Sequence, residues 1–167
     1  MRIFRTKYNW LNFWLDVAVM IFVGSAIMFV FFWPTRVVGN SMAPTLNHGD
    51  QLIVSRFIAN FGNLAAEDIV LLNVDGNTII KRLVAIPGDH VKLTQNVLYI
   101  NGLQTDLPLF GEALADVDIT LYDGQYFVLG DNLLHSRDSR YFGVVEKRQI
   151  IAKVLLKYFP ITDINFY

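Results

Sequence analysis

Among 167 residues there is no cysteine, and only three are histidine. Without thiols there is no disulfide framework, no thiolate metal site and no cysteine nucleophile. Charge is scarce too: 17% of the chain is Asp, Glu, Lys or Arg, against about 25% in an average soluble domain. A net charge of −1 argues against electrostatic binding to nucleic acid, and no nucleic acid is expected as a partner. No His-Glu-x-x-His motif is present, so no metal site and no metalloprotease is expected. Apolar residues are abundant instead, at 53%, with a mean hydropathy of +0.37. Such a chain is too apolar to be disordered and more apolar than a wholly water-soluble one. Its length allows one domain with an appendage at most.

The apolar excess is concentrated near the start. Residues 17–33 contain no charge, and extension back to Trp10 adds only Asn12 and Asp16 as polar interruptions. A helix needs about 20 mostly apolar residues to cross a bilayer. Trp10, Trp14 and Trp33 flank the run, where amphipathic rings favour the interface, and Pro34 ends it. A cleaved signal peptide has an apolar region of about 7–15 residues. This run is longer, and its small-residue step, Gly24-Ser25-Ala26, lies in its middle. A helix apolar on every face belongs to the core of a large protein or to a membrane span, and a chain of 167 residues leaves the second. The expectation is a retained single-pass anchor over 10–34, with Asp16 at the cytoplasmic interface. Arg2, Arg5 and Lys7 precede it and only Arg36 follows closely. The positive-inside rule then puts residues 1–9 in the cytoplasm and 35–167 outside a cell membrane, with the lipid bilayer as a partner.

Residues 35–167 carry 11 Lys and Arg against 14 Asp and Glu, an ordinary globular balance. Short apolar or alternating runs at 51–57, 68–74, 77–86, 90–93, 97–100, 125–129 and 150–158 predict strands. Turn signals separate them, notably Asp75-Gly76, Pro87-Gly88-Asp89 and Asn101-Gly102. The fold class expected is mainly β: an antiparallel sheet or barrel-like domain, with 90–129 forming a small secondary β excursion.

Three segments hold residues capable of chemistry. Ser41 lies between Gly39 and Pro44, in a stretch too broken for a helix or central strand. Such a serine can be exposed, with its own N–H facing an oxyanion; it can equally be a turn serine capping the backbone. An extended linker of eight residues from Trp33 spans only about 26–29 Å, so Ser41 stays near the membrane. Lys81 lies in the predicted strand 77–86, where alternation places it on a face with Ile79, Leu83 and Ala85. A desolvated lysine has a lowered pKa and, when neutral, can take a proton from a serine. A lysine that bends to the surface and buries only its stem is the other reading, and the strand alone leaves both open. The third segment, residues 130–143, is dense in hydrogen-bonding groups: Asp138 and Arg140 are placed to pair, and Ser136 to orient a lysine amine.

Together these segments resemble the type I signal peptidases, the Ser-Lys membrane proteases of the bacterial envelope. The resemblance is carried by Ser41-Met42-Ala43-Pro44-Thr45-Leu46, by Asp68-Ile69-Val70, by Ile80-Lys81-Arg82-Leu83-Val84-Ala85-Ile86-Pro87-Gly88-Asp89, and by Gly130-Asp131-Asn132 with Ser136-Arg137-Asp138-Ser139-Arg140 and Gly143. It implies Ser41 as nucleophile, Lys81 as general base and Ser136 as hydrogen-bond partner of the lysine amine. Asp138 and Arg140 hold the supporting loop, and the Ser41 N–H donates to the oxyanion. Gly39 stands where some members carry a serine as a second oxyanion donor. The chain departs from the family at Leu133-Leu134-His135, usually a polar stretch, and at Ala66-Glu67-Asp68, usually Arg-Gly-Asp.

The function so implied is membrane-anchored serine endopeptidase action on exported preproteins bearing signal peptides, after small-x-small sites, through an acyl-enzyme and with no cofactor. Two shallow apolar pockets would be needed, with Met42, Ile79, Leu83 and Ala85 as candidate walls. A Ser-His-Asp hydrolase is disfavoured by the absence of a Gly-x-Ser-x-Gly elbow and by the turn-like settings of His48, His90 and His135. The self-cleaving repressor-like proteases share the Ser-Lys chemistry, but they act in the cytoplasm and carry a DNA-binding domain or cleavable arm. The alternative outside enzymology is a signal-peptidase-like assembly factor for surface proteins or pilins.

Overall fold

The computed structural model describes residues 9–107 and 116–167, excluding the side chains of 27, 29 and 30. Arg2, Arg5 and Lys7 lie outside the described residues, as does part of the expected 90–129 excursion.

The first helix, α1 (Trp10–Phe31), ends before the proline, because the residue preceding a proline is pushed out of the helical region. Its large apolar side chains, from Trp10 to Met28, are mostly exposed. Counted over the described residues, no helix is long and apolar enough to cross a membrane. After the single residue Phe32 the chain enters β1 (Trp33–Arg36), where Pro34 sits on an edge strand that does not need its N–H.

Further along come β2 (Gln51–Ser55), α2 (Arg56–Phe61), β3 (Ile69–Val74), β4 (Asn77–Ala85), β5 (His90–Thr94), β6 (Val97–Ile100), β7 (Leu103–Gln104) and β8 (Val117–Thr120). Then follow β9 (Gln125–Leu129), α3 (Ser139–Phe142), β10 (Val145–Glu146), β11 (Ile150–Phe159) and β12 (Asn165–Phe166). The strand expected over 51–57 stops at Ser55, whose Oγ accepts the Ile58 N–H and starts α2.

The larger sheet has the order β1-β2-β11-β3-β4-β9-β10, with β12 also on β11; the smaller is β7-β6-β5-β8. Every pairing is antiparallel. Among the described residues nothing joins β10 back to β1, so the barrel-like expectation is corrected to an open sheet. The two edge strands are four and two residues long, too short to present a closing ladder.

Three apolar clusters hold the sheets. On β3, Ile69 and Leu71 enter the cluster under the Ser41 loop, and Val70 and Leu72 enter the one on the opposite face. Alternation in β4 breaks after Leu83, where a bulge against β9 sends Ala85 into the third cluster. Ala85 therefore does not share the face of Ile79, Lys81 and Leu83. The third cluster joins the two sheets through the fully buried Phe127, packed with Val91, Leu93 and Leu98. Phe127→Ala is expected to lower stability by about 3–5 kcal/mol, read as a shift in the urea midpoint of the purified protein.

Candidate active site

A loop between β1 and β2 carries Ser41. Gly39, just before it, adopts φ +91°, a conformation that L side chains disfavour. Its N–H donates to His48 Nδ1 at 3.1 Å. The Ser41 carbonyl accepts the Asn132 N–H at 3.0 Å, and the Asn40 carbonyl accepts Asn132 Nδ2 at 3.1 Å. Asn132 thus grips the turn from the β9 side. Among the described residues no acceptor takes the Ser41 N–H.

Opposite Ser41 stands Lys81, from the middle of β4, only 2% exposed. Its Nζ lies 2.8 Å from Ser41 Oγ. Burial pushes the lysine below its ordinary value of 10.5; Asp138 opposes the shift, Arg140 adds to it and Asp131 opposes it. Burial prevails because both carboxylates are already committed to arginines. Asp138 takes Arg140 Nε at 2.7 Å and Nη2 at 2.9 Å, fully inside the protein. Asp131 takes Arg82 Nε at 2.9 Å and Nη2 at 2.7 Å. Each carboxylate is held in a bidentate pair.

Ser136 differs from its expectation. Its Oγ donates to Asp138 Oδ2 at 2.7 Å instead of holding the lysine amine. The same carboxylate oxygen accepts the Gly130 N–H at 3.0 Å, so Asp138 ties the end of β9 to the 136–140 loop. Gly130 is required for space: a Cβ there would lie 2.2 Å from Ser136 Oγ and 2.5 Å from the Ser41 carbonyl oxygen.

A cleft of about 390 Å³ opens beside Ser41, between residues 35–39 and 78–80, with Met42 and Leu71 at its floor. Met42 and Ile79 line it. Leu83 and Ala85 do not; both are completely buried in core clusters, so their expected place in the pocket wall is corrected. His48, Gly130 and Asn132 complete the site without any role assigned to them by sequence. For Gly130 and Asn132 the Gly-Asp-Asn triplet was the available signal. The His48–Gly39 contact has no local one.

Residues 9–159 match the family model "Signal peptidase, peptidase S26". The chain belongs to that family. It is 30% identical to signal peptidase I of Bacillus licheniformis over 95% of this chain and 94% of that one. Signal peptidase I of Bacillus caldolyticus is 35% identical over 77% of this chain and 80% of that one. Signal peptidase IB of Staphylococcus aureus (strain MRSA252) is 29% identical over 91% and 93%. This family member is therefore a serine peptidase, and the family's activity is removal of signal peptides.

Two substitutions follow from the geometry. Gly130→Ala must displace Ser136 or the Ser41 turn, at a cost of about 1–3 kcal/mol. Peptidase activity is expected to fall at least about tenfold, measured as kcat/KM on a preprotein. Asp138→Asn leaves Arg140 buried without its counter-charge and is expected to lower stability by about 3–5 kcal/mol, seen in chemical unfolding.

Proposed function

We propose that the protein cuts signal peptides from exported preproteins after small-x-small sites, with Ser41 as nucleophile and Lys81 as general base. The observation that carries this reading is the 2.8 Å approach of Lys81 Nζ to Ser41 Oγ, made by a lysine whose burial favours its neutral form. Ser41 gives its proton to Nζ, and Oγ attacks the scissile carbonyl. The oxyanion meets the unoccupied Ser41 N–H. Collapse breaks the peptide bond; the proton on Lys81 passes to the leaving amine, and the signal peptide remains as an ester on Ser41. Water, deprotonated by Lys81, then releases the peptide as its carboxylate.

The cleft suits an extended substrate. β9 pairs with β4 only from Arg82 onward, so, among the described residues, 77–81 keep a free edge facing 35–39. A peptide added along that edge would send alternate side chains toward Met42 and Val37, where small ones fit. Asp138 and Arg140 support the dyad by holding the Gly130–Ser136 wall.

On the same reading, α1 is a membrane anchor. Its described residues alone do not make a helix long and apolar enough to cross a membrane; the reading rests on the uncharged run 17–33 of the sequence. The exposed apolar surface and the flanking tryptophans agree with that placement. Residues 1–9 would then be cytoplasmic and 35–167 extracytoplasmic, with 90–129 as a secondary subdomain. Membership of a peptidase family favours cleavage over a purely assembly-related role.

Purified full-length protein in detergent is expected to process a preprotein, with the new N-terminus following a small-x-small site. Ser41→Ala should reduce the rate by about 10⁴-fold or more; undiminished cleavage would sink the assignment. Lys81→Arg should be equally inactive, because arginine stays protonated. The active form has neutral Lys81, so kcat/KM should rise with pH to a midpoint below 10.5. Stability has the same sign. The unfolded chain holds the Lys81 proton more tightly, so folding gains stability as pH rises from the lowered pKa to 10.5. Lys81→Met should stay folded and lose that slope in urea midpoints taken across the interval.

A further inference from the structure

The proposed chemistry does not use Lys157, although it is 1% exposed at the far end of β11. Its ammonium donates to Asp163 Oδ2 at 2.5 Å and to the Thr45 carbonyl at 3.2 Å, and lies 3.7 Å from Asp50 Oδ2. Asp163 belongs to the segment 160–167, which folds back so that β12 pairs with β11. Tyr167 ends that segment and also donates through its hydroxyl to Thr45, at 3.4 Å. Two donors therefore converge on one carbonyl, four residues after Ser41.

Thr45 sits in the turn that presents the nucleophile. Within it the Leu46 N–H donates to the Met42 carbonyl at 2.8 Å, and Asp50 Oδ2 accepts the Asn47 N–H at 2.8 Å. Asn132 grips the front of the turn at Ser41 and Asn40. Lys157 and Tyr167 grip its rear. Burial works against the Lys157 charge, yet the hydrogen bond to Asp163 and the nearby carboxylates hold it above the ordinary lysine value. Asp163 and Asp50 compensate the buried ammonium, and its remaining hydrogen bond is spent on the Thr45 carbonyl.

We propose that Lys157, locked by Asp163 and assisted by Tyr167, is a positioning residue that sets the height of Ser41 Oγ relative to Lys81. This inference rests on the Ser41–Lys81 reading and adds the folded-back 160–167 segment to the catalytic assembly. Small displacements of a nucleophile are expensive: about 1 Å can reduce a rate on the order of 10²-fold.

The test compares full-length wild type with Lys157→Met, Lys157→Arg, Asp163→Asn and Tyr167→Phe, using one preprotein in detergent. Lys157→Met is expected to lower kcat by about 10- to 100-fold with KM little changed, and Lys157→Arg to restore most of it. Asp163→Asn and Tyr167→Phe should show smaller losses, again in kcat. A folded Lys157→Met with wild-type kcat, or with a loss confined to KM, overturns the proposal. If that variant does not fold, unchanged kcat in both Asp163→Asn and Tyr167→Phe overturns it. Failure of wild type to cleave would count against the peptidase mechanism itself. Amide exchange at Leu46 then decides the latch: faster exchange in the Asp163 and Tyr167 variants supports it, and unchanged exchange overturns it.

Discussion

A lysine taken out of water beside two carboxylates would ordinarily stay protonated. Here each carboxylate is tied first to an arginine. Arg140 closes on Asp138 and Arg82 on Asp131, each through two hydrogen bonds, and the lost hydration of Lys81 outweighs what pull the carboxylates keep, lowering its pKa. Much else follows from that pairing. Asp138 can be wholly buried because Arg140 is, and once buried it collects Ser136 and Gly130 around itself. The wall so formed passes the carbonyl of Ser41 within a few ångströms of Gly130, where no larger residue has room.

The strands were largely legible because their signals are local. Asp75-Gly76 and Asn101-Gly102 each supply two consecutive positive φ values, as the tightest hairpins demand, and they join β3 to β4 and β6 to β7. The run Ile69–Leu72 is buried on both faces and reads as continuous apolar sequence. Positions set by distant partners were not legible. The bulge after Leu83 depends on pairing with β9, so alternation alone carried Ala85 to the wrong face. Ser55 ended its strand by capping a helix, a choice the β-rich run 51–57 conceals.

The site divides in the same way. Ser41 and Lys81 were recognisable from their settings and from a resemblance of motifs, and the fold brings them within hydrogen-bond distance across 40 residues of chain. Which atoms Ser136 would meet was not recognisable, because Asp138 and the lysine amine are both plausible partners for a hydroxyl and only packing chooses. Nor could the grip of Asn132 on Asn40 and Ser41 be read, since it spans more than 90 residues. Long-range contacts of this kind leave no periodic trace.

The junction between α1 and β1 is one residue, Phe32. A longer connection would let the helix and sheet wander, and the separation between them would be an average over many conformations. One residue leaves almost nothing to average. Trp33 is already in register with Val54, and four residues of strand advance about 13 Å before the loop to Ser41 begins. The helix end and the serine are thereby fixed as the two marks of a yardstick. On the proposed reading, with α1 seated in a bilayer and Ser41 as nucleophile, the bond that reaches Ser41 would be chosen partly by its height above the lipid, a selection made by length before any side chain is read.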